Sequence, residues 1–397
     1  MKIERRVMVL SKLDRRRFLG AAGCLPFVAG CPACARSLND APRGRATGRN
    51  LRDIVSGRTV DVHTHILAPS WFGRGGQAPR VRSDAEIAAE LGANPYLPLD
   101  DAAALVRANR EIIDAFEVAR ADGSALASAA VLIAEMDRAG IDVSVCQLID
   151  EVNRPYRRGY TVDMDTIFAD LKAVSDAYPG RFIHYFGVDP RRGAEGVALL
   201  RRAVTEFGFA GMGEWITQWW RVMPTDRDVC YPYFEACVDL GIPYVNNGSG
   251  PDLSQAPEVF EQVLTDFPTL KVVNAAAGVM TDKELAEDPA RATLPNRLLQ
   301  VAERHENFYL DIDDWQRLDA AGNSRTLSFL RRALDGPAGD RIMFGTDFPI
   351  FTQIVPAATW VNTLIDGAGS STDVLSDDDI DRLFSRNPLA FLGIQTP

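Results

Sequence analysis

A chain of 397 residues that is 46% hydrophobic and 24% charged is long enough to bury a full-sized core. Its net charge of −11 opposes partnership with nucleic acid or anionic membrane surfaces. Three of the six cysteines fall within the first 35 residues, and Cys230 and Cys237 would lie about 10.5 Å apart along a helix, so no disulfide framework is implied.

Residues 1–35 read as an export leader. Arg15-Arg16-Arg17-Phe18-Leu19 looks like a twin-arginine signal, and the apolar run from Phe18 to Gly30 is too short to span a bilayer. Ala33-Cys34-Ala35 fits cleavage after Ala35, while Val28-Ala29-Gly30-Cys31 resembles a lipobox that would make Cys31 a lipidated terminus. Cys31-Pro32-Ala33-Cys34 has redox or zinc spacing, but its place in the leader argues against that use. The expected address is periplasmic, or lipid-anchored through Cys31, with no membrane insertion after processing. The leader holds seven Lys/Arg and two acids, a net +5, which leaves −16 on the mature protein. Residues 36–57, rich in Arg, Gly, Pro and Asn, read as a linker.

The body, residues 58–397, alternates short apolar strands with helical stretches. The first strand runs into Thr59-Val60-Asp61-Val62-His63-Thr64-His65, whose period of two sets both imidazoles on one face about 6.6 Å apart. Two imidazoles so placed can share a divalent metal. A long insertion follows: a flexible loop over Ala68–Arg82, then helices around 84–91, 100–119 and 125–139. The remaining strands are predicted at Val143–Leu148, Phe182–Val188, Gly211–Ile216, Ile242–Val245, Lys271–Asn274, Phe308–Ile312 and Arg341–Phe344. The chain ends in a helix from Ser376 to Phe384, opened by a capping box with Asp379, followed by Asn387-Pro388. Eight strands with intervening helices predict an α/β fold, a (β/α)8 TIM barrel with an insertion after strand 1.

Asp61-Val62-His63-Thr64-His65, the Met136–Asp142 junction, Phe344-Gly345-Thr346-Asp347-Phe348-Pro349 and the Asn387-Pro388 tail together resemble the amidohydrolase superfamily. The resemblance is to its amidohydrolase-related branch, which includes aminocarboxymuconate-semialdehyde decarboxylase. It implies a barrel whose strand ends bind a catalytic divalent metal through His63, His65 and Asp347, with Asp347 also relaying a proton, and it suggests a homodimer. Two histidines, one carboxylate and water suit zinc, and the same trio suits iron or manganese.

Two positions depart from the family pattern. Asn247 stands where the fifth strand usually supplies a histidine, and Ala276 where the sixth does. His184 reads as a satisfied core histidine and His305 as a surface helix residue. Strand four carries no metal-bridging lysine; it offers Glu214, a carboxylate too costly to bury unpaired. Glu214 would either complete the metal shell as a second catalytic carboxylate or pair with a cation such as Arg221. Aromatic and polar residues on loops of the barrel mouth, Trp71, Arg74, Trp215, Asn246, Asn247 and Trp315, are candidates to hold a flat carboxylate- or carbonyl-containing small-molecule substrate. The expected activity is metal-dependent hydrolysis or non-oxidative decarboxylation. The alternative is a catalytically altered barrel that binds a small molecule in the periplasm.

Overall fold

The computed structural model describes residues 49–72, 81–93, 101–150, 159–247, 253–280, 282–317, 322–367 and 374–395. All belong to the compact unit Arg36–Pro397. The leader with Cys31, residues 36–48 of the expected linker, and Arg74 lie outside the described residues. Among the described residues no helix is long and apolar enough to cross a membrane.

Parallel strands form at β1 (Val60–Thr64), β2 (Val143–Ile149), β3 (Phe182–Gly187), β4 (Met212–Trp215), β5 (Tyr244–Asn247), β6 (Val272–Ala275), β7 (Phe308–Asp311) and β8 (Ile342–Met343). Strands β1 to β3 make one ladder and β4 to β8 another. Individual backbone bonds join the two. Phe186 N–H donates to Gly211 O at 3.0 Å on one side; Val62 N–H donates to Phe344 O at 2.9 Å on the other. The architecture is the expected (β/α)8 barrel. Its lumen is filled by alternate residues of successive strands, including Val60, Val62, Val145, Tyr185, Val245, Val273 and Met343. A larger apolar layer packs the strands against the helices. Strands buried on both faces read as nearly continuous apolar runs, which is why they are visible in the sequence.

Several boundaries differ from expectation. The fifth strand starts at Tyr244 rather than Ile242, because Pro243 has no N–H to give a ladder. The helix expected over 100–119 is two helices, Ala102–Ala108 and Arg110–Asp122. They break at Asn109, whose amide donates to the carbonyls of Gln353 and Ile354. The end of the expected linker is folded: Leu51–Ile54 is a helical turn with Leu51 buried, and Ser56 bonds Asp381. Within the expected flexible loop, Pro69–Phe72 is a 3-10 turn that buries Trp71. The capping box of Ser376 and Asp379 is present, and the tail helix continues through a π-helical turn, Arg382–Arg386, into Asn387–Leu392. Asn387 there donates to the carbonyls of Gly339 and Ile342, tying the tail to β8.

Two ladders carry one extra residue. On β1, Asp61 pairs with Ser144 and Thr64 with Cys146; on β4, Met212 pairs with Tyr244 and Trp215 with Asn246. Each is three residues against two, the count of a β-bulge, which re-aims the side chains beyond it. The first bulge precedes His65 and contains His63; the second contains Glu214.

Candidate active site

The β1 bulge resets the strand's phase. Val60 and Val62 face the lumen, yet His63 and His65 also converge at its mouth, with ring centroids 5.2 Å apart. His65 Nδ1 lies 2.7 Å from the carbonyl of Gln147 on β2. A carbonyl only accepts, so Nδ1 carries the proton and Nε2 presents its lone pair to the mouth. His63 Nδ1 faces Asp311 Oδ2 at 3.2 Å and Asp313 Oδ2 at 3.4 Å. Its Nε2 is buried and has no hydrogen-bond partner among the described residues. Both imidazoles are therefore held by their Nδ1 atoms with Nε2 aimed inward, the arrangement of metal-binding histidines.

Asp347 reaches the same point from the far end of the chain, on the turn after β8. The turn after β8 hangs on β1, with Asp347 N–H donating to His63 O at 2.9 Å. Thr346 caps Asp61 through its N–H and its hydroxyl, at 3.1 and 2.6 Å. Asp347 itself is left-handed at φ 46°, a backbone cost that a tightly determined site sustains. Its Oδ1 stands 3.0 Å from His65 Nε2 and 4.0 Å from His63 Nε2.

Glu214 completes the cluster. Its Oε2 is 3.6 Å from both Nε2 atoms, and its Oε1 accepts from Asn247 Nδ2 at 2.6 Å. Gln218 Nε2 donates to Asn247 Oδ1 at 2.9 Å, which fixes the amide's orientation. The carboxylate thus turns toward the histidines and not toward Arg221. Close strand approach makes room for it: a Cβ on Gly187 would lie 2.0 Å from the Glu214 carbonyl oxygen.

This donor set fits a divalent ion. Ligand atoms around a tetrahedral zinc stand about 3.3–3.4 Å apart, and the separations here of 3.0, 3.6, 3.6 and 4.0 Å bracket that value. His63, His65 and Asp347 form one of the buried metal-capable groups among the described residues. The charge balance agrees. Glu214, Asp311, Asp313 and Asp347 form ion pairs only with the two histidines among the described residues, and buried carboxylates demand a cation. Burial opposes charge on the imidazoles, but Asp313 and Glu214 hold His63 well above its ordinary range and Asp347 raises His65. Burial likewise pushes Glu214 up, yet the histidines outweigh it and keep the group ionised. The β7 pair divides: burial and the charge of Asp311 push Asp313 well up, while His63 overcomes burial to hold Asp311 low.

Asp311, Asp313 and Asp314 were not among the residues the sequence reading singled out. Their signal was present, as Asp311-Ile312-Asp313-Asp314 ends an apolar strand. Asp311 also accepts from Ala276 N–H at 2.8 Å, so the position lacking the family histidine contributes a backbone donor to the acid that holds His63.

Three expected substrate contacts are corrected. Trp215 is fully buried and faces outward, edge-on to Trp220, Tyr233 and Tyr244 in the helix-facing layer, because the β4 bulge sends Glu214 inward and Trp215 outward. Trp71 is buried, with its Nε1 donating to Asp170 Oδ2 at 2.8 Å and its ring against Tyr160. Asn246 turns outward, taking the Tyr244 hydroxyl at 2.5 Å, since strand alternation admits only Asn247 to the mouth. Trp315 lies on the mouth loops, donating from Nε1 to Ala276 O at 2.8 Å. His184 is a core histidine as expected, but only half satisfied: its Nε2 lies 2.9 Å from Ser175 Oγ, while its buried Nδ1 has no hydrogen-bond partner among the described residues.

A parallel α/β barrel with a two-histidine, two-carboxylate cluster at the C-terminal strand ends defines the class: a metal-dependent TIM-barrel enzyme. The sequence pattern of the Amidohydrolase family matches residues 60–394, and the chain belongs to that family. No curated protein matches the sequence. Among solved structures it is similar to a probable 2-pyrone-4,6-dicarboxylic acid hydrolase from Acinetobacter baumannii, crystallised with citric acid. That pair shows 11% identity and a TM-score of 0.51, over 85% of this chain and 99% of the other. A 5-carboxyvanillate decarboxylase from Sphingomonas paucimobilis matches at 16% identity and TM-score 0.48, covering 86% of this chain and 100% of its own. A 2,6-dihydroxybenzoate decarboxylase from Rhizobium matches at 14% and 0.47, covering 85% and 99%.

Proposed function

We propose that this chain is a metal-dependent hydrolase or non-oxidative decarboxylase acting on a small, flat carboxylate- or carbonyl-containing substrate. The convergence of His63 Nε2, His65 Nε2, Asp347 Oδ1 and Glu214 Oε2 carries the reading. His63, His65 and Asp347 would hold the ion, zinc first and manganese or iron as alternatives, with Glu214 beside them. When bound, such an ion supplies Lewis acidity, bringing a water's pKa toward about 7 or polarising a substrate oxygen. Asp347, at the mouth and 3.0 Å from His65, is the group placed to take a proton from the reacting water or give one to the product. Asp311 orients His63 through Nδ1 at 3.2 Å, and Asp313, whose carboxyl is pushed up by burial and by the charge of Asp311, stands 3.4 Å from the same nitrogen.

Against a purely binding role stands the orphaned Nε2 of His63, since a small-molecule binder has no need of a buried, unpartnered ring nitrogen faced by carboxylates. The proposal includes the twin-arginine leader and hence export, with cleavage after Ala35 or anchoring at Cys31. It is tested by elemental analysis of purified protein together with His65→Ala. About one tightly bound zinc, manganese or iron per chain, lost in the variant along with turnover of aromatic carboxylates or lactones, is the expected result. A metal-free protein whose ligand binding is indifferent to His65→Ala overturns it.

A further inference from the structure

The loop after β7 and the turn after β8 carry acids to the same mouth, and Gln316 ties the two together. Its Nε2 donates to Thr346 O at 2.5 Å inside the protein. That carbonyl belongs to the same peptide unit as the Asp347 N–H, which donates to His63 O at 2.9 Å. In a trans peptide the C=O and N–H point to opposite sides of one rigid plane. Held at both ends, the plane cannot rotate, and its tilt sets the left-handed φ of Asp347, 46°. A residue other than glycine keeps such a φ only where its surroundings over-determine it. The other side of Asp347 is held as well, its carbonyl accepting from Ile350 N–H at 2.9 Å.

Gln316 is itself firmly placed. Its neighbour Trp315 donates its N–H to Asp313 O at 2.7 Å and its Nε1 to Ala276 O at 2.8 Å, which fixes the short turn Trp315–Arg317 against the ends of β6 and β7. Gln316 is 3% exposed, and its Oε1 is buried with no hydrogen-bond partner among the described residues. A carbonyl only accepts, so Nε2 must face Thr346 and the amide cannot turn over to satisfy Oε1. An amide buried with an unmet acceptor is less favourable than an apolar side chain of the same shape. Stability alone therefore does not account for a glutamine here, whereas the need for its one bond does.

We infer that Gln316 is a positioning residue for Asp347. It holds the Thr346–Asp347 peptide so that Asp347 Oδ1 stands 3.0 Å from His65 Nε2 and 4.0 Å from His63 Nε2. It acts through the backbone and belongs to none of the metal-capable groups. The inference rests on the reading of Asp347 as metal ligand and proton carrier. Without this strut the peptide can relax toward negative φ, which swings the carboxylate away from the histidines.

Gln316→Met tests it, because methionine keeps the length of the side chain and removes the donor and the orphaned acceptor together. Zinc affinity of the full purified chain is measured by chelator competition, the metal site's geometry by the visible absorption of the cobalt(II)-loaded protein, and stability by urea unfolding after EDTA treatment. Zinc affinity should fall about tenfold and the cobalt bands should change, while the urea midpoint stays in place or rises. A merely structural glutamine gives the reverse pattern. Unchanged zinc affinity, an unaltered cobalt spectrum, a midpoint that falls along with the affinity, or a variant that does not fold would each overturn the inference. Failure of the unsubstituted chain to bind zinc or cobalt would overturn the metal site itself, and the inference with it.

Discussion

Asn247 on β5 donates its side-chain amide to Glu214 on β4 at 2.6 Å, and so reaches the site through a carboxylate. At the position where the sequence resemblance implies a metal-binding histidine, Asn247 is a residue that aims a neighbouring carboxylate.

That relationship predicts a graded loss. Asn247→Leu should release Glu214 and lower metal affinity 10–100-fold, the usual cost of removing a partner behind a ligand. His65→Ala should abolish stoichiometric binding. Competition with a chelator of known affinity measures both.

Glu214 owes its position to a close backbone approach. Adding a methyl at Gly187 would bring it to 2.0 Å from the Glu214 carbonyl oxygen. Gly187→Ala should therefore cost about 1–3 kcal/mol in urea unfolding, as overpacking does, and reduce metal content with it. A variant of normal stability and full metal content would contradict the role given to this glycine.

Trp215 separates core from site. Its Nε1 is buried without a hydrogen-bond partner among the described residues, so Trp215→Phe removes little and Trp215→Ala should cost about 3–5 kcal/mol. Thermal or urea unfolding reads the cost. In Trp215→Phe, KM should stay at its original value, whereas a substrate-wall tryptophan would raise it.

His184 sets an acid limit on stability. Burial lowers its pKa to about 4, against 6.5 for the exposed group, so the folded chain refuses a proton that the unfolded chain accepts. Its contribution is complete above pH 6.5, falls as the pH drops through that value, and levels off below about 4. Between pH 7 and pH 5 the loss amounts to about 2 kcal/mol. His184→Gln should flatten this part of the stability profile, measured by denaturant unfolding at each pH.

Much of the fold was open to a reader of the sequence because strands buried on both faces announce themselves as apolar runs. Val143–Ile149 and Phe182–Gly187 lie within a residue of expectation for that reason. Alternation alone could also have excluded Asn246, since it cannot share the mouth with Asn247. Trp71 and Trp215 misled for a different reason. A tryptophan on a loop and a tryptophan in a core have the same local sequence, and only packing distinguishes them.

The sequence by itself determined an apolar first strand ending in two histidines, a last strand ending in an aspartate, and the family to which those ends belong. Which carboxylates would meet the histidines was decided by tertiary structure. Asp311, Asp313, Glu214 and Asp347 arrive from the ends of β7, β4 and β8, which meet the end of β1 only when the barrel closes, and single-residue bulges on β1 and β4 choose the side chains that face inward. A bulge is a property of the pairing between two strands, so neither strand's own residues reveal it.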